Sequence, residues 1–114
     1  MVIGRIVERL FGTGMPEKGD DRRSVAVRIE GRVQGVYYRA WTAQTARALG
    51  LDGTVRNMDD GSVEATFSGP SEAVAEMLRR CADGPRDARV RRVTVTQEGA
   101  SVGPGFRVLP RYRR

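Results

Sequence analysis

Asn57-Met58-Asp59-Asp60-Gly61-Ser62-Val63-Glu64-Ala65-Thr66-Phe67-Ser68 contains a turn, Asp59-Asp60-Gly61, that feeds an alternating run. An Asp-Gly pair between apolar runs is a strong hairpin signal, because glycine supplies the positive φ that tight turns need. Val63, Ala65 and Phe67 point one way while Ser62, Glu64 and Thr66 point the other, the period of a half-buried strand. Leu51 to Asn57 supplies the strand before the turn. The stretch therefore predicts two antiparallel strands, 51–57 and 62–68, with one face in a core.

Helical periods flank this hairpin on both sides. Upstream, Tyr38, Trp41, Thr42, Thr45 and Leu49 fall at helical spacing, and Gly50 marks the end. Before that helix, Val25, Val27 and Ile29 alternate with Ala26, Arg28 and Glu30, a first strand. Downstream, Gly69-Pro70 opens a second helix with Val74, Met77, Leu78 and Cys81 on one face, closed by Gly84-Pro85. Val93 and Val95 mark a fourth strand, started near Arg91 because Val90 is out of phase with them. A short last strand is expected around Phe106 to Leu109, after Gly103-Pro104-Gly105. The order strand, helix, strand, strand, helix, strand predicts an α+β, ferredoxin-like split βαβ fold. Its antiparallel sheet carries two helices on one face and a short extra C-terminal strand. That fold hosts binders, sensors and enzymes alike, so function has to come from a site.

The chain has 114 residues, enough for one domain that buries a core without disulfides. Residues 24–110 are read as that domain, 1–23 as an N-terminal extension and linker, and 111–114 as a basic tail expected to fray. In the extension, Val2, Ile3, Ile6, Val7, Leu10 and Phe11 recur at helical spacing. They allow a short amphipathic helix docked on the body or on a partner, or else a true start at Met15. The apolar residues are interrupted by charge and no run approaches a membrane span, so neither a signal peptide nor a membrane segment is expected. One Cys and no His exclude an internal disulfide framework and His-based acid–base catalysis, and they suit a reducing, cytoplasmic setting. The net charge of +6 divides as +1 over residues 1–23, +2 over 24–110 and +3 over 111–114. Half the excess lies in four residues, and the body of the domain is nearly neutral.

Gly31-Arg32-Val33-Gln34-Gly35-Val36-Tyr37-Tyr38-Arg39 joins the first strand to the first helix. Two glycines four apart let a loop curl so that consecutive backbone N–H groups face inward beside a helix N-terminus. That is an anion-binding arrangement. Arg39 at its mouth offers a planar, permanent charge suited to two phosphate oxygens. Spacing alone equally allows a plain glycine turn with Arg39 on a solvated helix face. Asn57, closing the second strand, carries an amide able to hold a water, although Asn before a turn is also ordinary turn chemistry.

Other sites are weaker. Cys81 and Arg86 are one residue too close for a Cys-x5-Arg loop, and Cys81 lies on the apolar face of its helix, a core thiol. Asp59 and Asp60 read as turn residues rather than cation ligands, no metal site is expected, and no GxxxxGK loop is present. Arg79, Arg80, Arg86, Arg89, Arg91 and Arg92 read as solvated surface. An RNA-binding module of this topology would stack bases on strand aromatics. Here the first strand has none and the third has Phe67 alone, on the core face. A phosphate-binding or regulatory domain without catalysis would have no need of Asn57.

Taken together, Gly31 to Thr42 resembles the signature of acylphosphatases, as does Gly53-Thr54-Val55-Arg56-Asn57 followed by Asp60-Gly61-Ser62-Val63-Glu64. Gly69-Pro70, Gly84-Pro85 and Phe106 fit as well, and the likeness spans roughly residues 24–110. The resemblance implies that Arg39 and the 34–39 amides bind phosphate and that Asn57 orients the attacking water. The substrate would be a small-molecule acyl phosphate, with no cofactor, no metal, no nucleic acid and no membrane partner, and the chain a monomer. Tyr37-Tyr38 stands where Phe or Gly-Phe is frequent, and Thr54 where an aromatic is frequent, which bears on the acyl group rather than the reaction. An acyl phosphate leaves as a carboxylate of pKa ~4 and needs little protonation, which suits a chain without His.

Overall fold

The computed structural model describes residues 6–9 and 21–113. Its elements, in chain order, are β1 (Ile6–Arg9), β2 (Arg22–Arg32), α1 (Tyr38–Ala48), β3 (Asp52–Asn57), β4 (Val63–Pro70), α2 (Ser71–Asp83), β5 (Arg89–Glu98) and β6 (Phe106–Val108). Among the described residues the strands form one six-stranded sheet in the order β1-β5-β2-β4-β3-β6. The four inner strands are antiparallel. Both edge strands pair in parallel, β1 with β5 and β6 with β3. The predicted split βαβ order is present, with α1 and α2 packed on one face of the sheet.

Alternation does what periodicity demands. Val25, Val27 and Ile29 of β2 meet Val55 of β3, Val63, Ala65 and Phe67 of β4 and Val93 and Val95 of β5 in one buried layer. Tyr38, Ala43 and Ala46 of α1 and Val74, Met77, Leu78 and Cys81 of α2 cover it. In α1 the small Ala43 and Ala46 face the core, while Trp41 and Leu49 are half-buried at its rim. The helix ends where Gly50 N–H bonds to the Arg47 carbonyl (3.0 Å) and Leu51 N–H to that of Ala46 (2.9 Å). This pattern satisfies the last carbonyls and buries Leu51.

Three expectations are corrected. Ile6–Arg9 is a strand beside β5, not a helix: two adjacent β-branched residues suit an extended chain, and β5 offers an unpaired edge. The rest of the expected N-terminal helix and the linker lies outside the described residues. β5 starts at Arg89, because Glu30 faces Arg92 and Gly31 faces Val90, leaving Arg91 as an extra residue. The bulge resets the phase, so Val90 and Val93 are both buried. Finally, the tail of 111–114 expected to fray is held at its start: Leu109 N–H donates to the Val55 carbonyl and Tyr112 N–H to that of Asn57, both at 2.9 Å.

Candidate active site

A cleft of about 410 Å³ lies where the β2–α1 loop faces the end of β3. Gln34, Gly35, Tyr37, Tyr38, Arg39 and Asn57 line it, together with Val33, Ala40 and Val108. Of the expected site residues Val36 alone is not in the lining, since its side chain is buried in the core. The volume suits a small ligand.

The loop owes its shape to two left-handed residues. Gly35 has φ 74° and Tyr37 φ 71°. Gly35 adopts this conformation freely, whereas for a tyrosine it costs about 1–2 kcal/mol. The two residues turn the chain so that Tyr38 can start α1, and they leave the Tyr37 ring 69% exposed at the cleft. No other main-chain group among the described residues takes up an N–H of residues 34–39. These donors sit at the N-terminus of an eleven-residue helix whose first turn holds no acidic side chain. Unpaired amides and the positive end of the helix dipole therefore act on the same space.

Arg39 occupies the second position of α1 and is half-buried, and no acceptor among the described residues pairs with it. Other arginines are committed: Arg23 to Glu98, Arg79 and Arg80 to Glu76, Arg28 to Asp60, Arg47 to the Phe106 carbonyl. The neighbouring Tyr38 contributes little beyond its amide. Its ring is in the core, and its hydroxyl donates to the Cys81 carbonyl at 2.6 Å, pinning α1 to α2. Burial, followed by the adjacent Cys81, pushes that phenol well above its usual range.

Asn57 stands on the helix-facing side of β3, in phase with Val55, and is 6% exposed. Its main-chain carbonyl accepts from Tyr112, but its side-chain Oδ1 is buried without a hydrogen-bond partner. Buried amide oxygens are normally satisfied, and leaving one unpaired costs about 1–3 kcal/mol. One cleft thus brings together an acceptor without a protein partner, a guanidinium without an acceptor among the described residues and unpaired amides.

The matched family model is Acylphosphatase, over residues 25–108. An acylphosphatase of Rhodospirillum rubrum is 52% identical over 88 residues, which is 77% of this chain and 97% of that protein. One of Azorhizobium caulinodans is 56% identical over 81 residues, 70% of this chain and 87% of that protein. The solved structure of an acylphosphatase from Coxiella burnetii superimposes with a TM-score of 0.72 at 30% identity, covering 83% of this chain and all of that one. The chain belongs to the acylphosphatase family.

The remaining sequence candidates take structural places outside this acylphosphatase cleft. Asp60 Oδ1 accepts from Ser62 N–H (3.0 Å) and from the Ser62 hydroxyl (2.6 Å), while Oδ2 faces Arg28, closing the hairpin turn. Those Ser62 bonds and then Arg28 hold its carboxyl well below the usual carboxylate range. Cys81 is fully buried, and burial pushes its thiol up to about 12, the reverse of an activated nucleophile. Two contributors escaped the sequence reading. The Gln34 side chain donates from Nε2 to the carbonyls of Met58 (2.9 Å) and Ser62 (2.8 Å). Arg111 reaches Met58 and Gln34 from the supposed tail. Such contacts join positions far apart in sequence, and no periodicity signals them.

Proposed function

We propose that the family's reaction, hydrolysis of an acyl phosphate to a carboxylate and inorganic phosphate, proceeds here by direct attack of water on phosphorus. Arg39 and the amides of Gln34, Gly35, Val36, Tyr37, Tyr38 and Arg39 bind the phosphoryl oxygens. Asn57 accepts a hydrogen bond from the attacking water through Oδ1 and sets that water in line with the bond to the acyl oxygen. The new P–O bond forms as the P–O bond to the acyl group breaks, and the carboxylate departs with the electron pair. The water's proton passes to a phosphoryl oxygen of the substrate. No cofactor, metal or covalent intermediate takes part, because positioning and charge neutralisation carry most of the work in phosphoryl transfer. The carrying observation is the orphaned Asn57 Oδ1 in the same cleft as the unpaired Arg39.

Residues 24–110 form the catalytic domain in this reading, a range supported by the family match over 25–108. The enzyme is a cytoplasmic monomer acting on a small molecule rather than nucleic acid. Supporting this are the single buried thiol and a basic excess concentrated at the chain's end. No helix among the described residues is long and apolar enough to cross a membrane.

Hydrolysis of benzoyl phosphate with chelator present tests the assignment. Arg39→Ala should lose turnover and phosphate inhibition together, whereas Asn57→Ala should lose turnover with phosphate inhibition largely kept. Full turnover in Asn57→Ala would remove the water-positioning role.

A further inference from the structure

In the sheet order, β4 lies between β2 and β3, so no ladder hydrogen bond joins the strand that ends in the anion loop to the strand that ends in Asn57. Val63, at the start of β4, faces Ile29 on one side and Asn57 on the other. A side-chain strut joins the loop to the turn beyond Asn57 directly instead. Gln34, in the loop, crosses to the hairpin turn, where Nε2 donates to the Met58 and Ser62 carbonyls. Those two acceptors set which way the amide points, but a glutamine alone is free to leave the turn, since its rotamers are close in energy.

Arg111 removes that freedom. Nη2 donates to Gln34 Oε1 at 2.8 Å and Nη1 donates to the same Met58 carbonyl at 3.1 Å, which ties the glutamine to the turn at both ends of its amide. The result is a closed triangle of Gln34, Met58 and Arg111, all half-buried. The tail carrying Arg111 is itself secured: Tyr112 N–H bonds to the Asn57 carbonyl, and the Arg56 guanidinium lies 5.3 Å from the centre of the Tyr112 ring. Asn57 is therefore braced through its own carbonyl and through that of the next residue, and both braces come from residues 111–112.

We propose that Arg111 is a positioning residue: by locking Gln34 against the Met58 carbonyl it holds the anion loop at its working distance from Asn57. This rests on the roles given above to the loop and Asn57. Phosphate affinity depends on the loop and Arg39, but turnover also depends on where the water stands relative to them. Small misplacements cost rate more than binding.

The test compares the full chain with Arg111→Met, which keeps the apolar stem, and Arg111→Lys, which keeps the charge but cannot span two acceptors. Benzoyl phosphate kinetics and inhibition by inorganic phosphate are measured for each, then for Arg111→Met in a Gln34→Met background. Both single variants should lose about tenfold in kcat with phosphate inhibition within about twofold of the parent. In the Gln34→Met background Arg111→Met should cost less than about twofold, because the strut is already gone. Unchanged kcat, full rescue by Lys, parallel loss of phosphate inhibition, or an equal loss in both backgrounds would each overturn the proposal. An inactive parent would overturn the underlying functional reading instead.

Discussion

Replacing Asn57 with leucine should make the protein more stable and nearly inactive at once. Leucine branches at the same carbon with the same number of heavy atoms, its methyl groups being bulkier than the amide, so Asn57→Leu leaves no cavity in the layer shared with Val55. It removes Oδ1, a buried acceptor with no partner in the protein, which only a water immobilised in the cleft can meet, and immobilising that water costs up to about 2 kcal/mol. Part of that gain is offset where the new methyl groups touch the open side of the cleft, leaving a net stabilisation of about 1 kcal/mol. For a domain near this size that raises Tm by about 4–8 °C. Turnover should fall about a hundredfold or more, since Gln34, the other side-chain amide lining the cleft, is committed to Met58, Ser62 and Arg111. Arg39 and the loop amides are untouched, so phosphate should still raise Tm, by an increment like the parent's. Thermal melts with and without phosphate, beside benzoyl phosphate kinetics on the same preparations, read all three quantities. A variant destabilised by 1 kcal/mol or more would refute the claim that no protein group satisfies the oxygen. Retained turnover would refute the claim that it holds the water.

Other outcomes follow from single contacts. Asp60 has its folded pKa depressed below the ordinary 3.8, so it adds stability above that value and loses it as pH falls toward the folded one. Asp60→Asn should accordingly flatten the acid limb of a stability–pH curve below about pH 4, as followed by urea unfolding. The Cys81 thiol, buried and raised to about 12, should react with a thiol reagent only as the protein unfolds, at neutral pH and with turnover unaffected before then. At Gly53 a Cβ would stand 1.8 Å from the Thr66 carbonyl oxygen, whereas at Gly50 it would meet nothing within 4 Å. Gly53→Ala should therefore lower the urea midpoint far more than Gly50→Ala, whose cost is the positive φ alone, about 1 kcal/mol.

The parts of this fold legible in the sequence were those written in a local period. The alternation of Val25, Val27 and Ile29, the Asp60-Gly61 turn and the stripe of Val74, Met77, Leu78 and Cys81 each describe one element and the face it buries. Errors arose where an element borrows its conformation from a neighbour. Ile6 and Val7 have apolar neighbours at helical spacing, but the open edge of β5 makes the segment a strand. Val90 looked out of phase because the bulge at Arg91 lies in the pairing with β2, which no single strand reveals. In the site, the residues lining the cleft were readable because Gly35 and Arg39 sit in one short motif, and Asn57 because the family resemblance singled it out. The triangle of Gln34, Met58 and Arg111 was not, since it depends on the tail folding back along β3.

The central claim is that water attacks phosphorus rather than the acyl carbon, and the fate of its oxygen reads this directly. Benzoyl phosphate hydrolysed by the enzyme in heavy-oxygen water, with chelator present, is followed by mass spectrometry of both products. Label confined to inorganic phosphate, one atom per turnover, is the predicted result. Label in the benzoate would place the attack at carbon, and Arg39 and Asn57 could not then have the roles given to them.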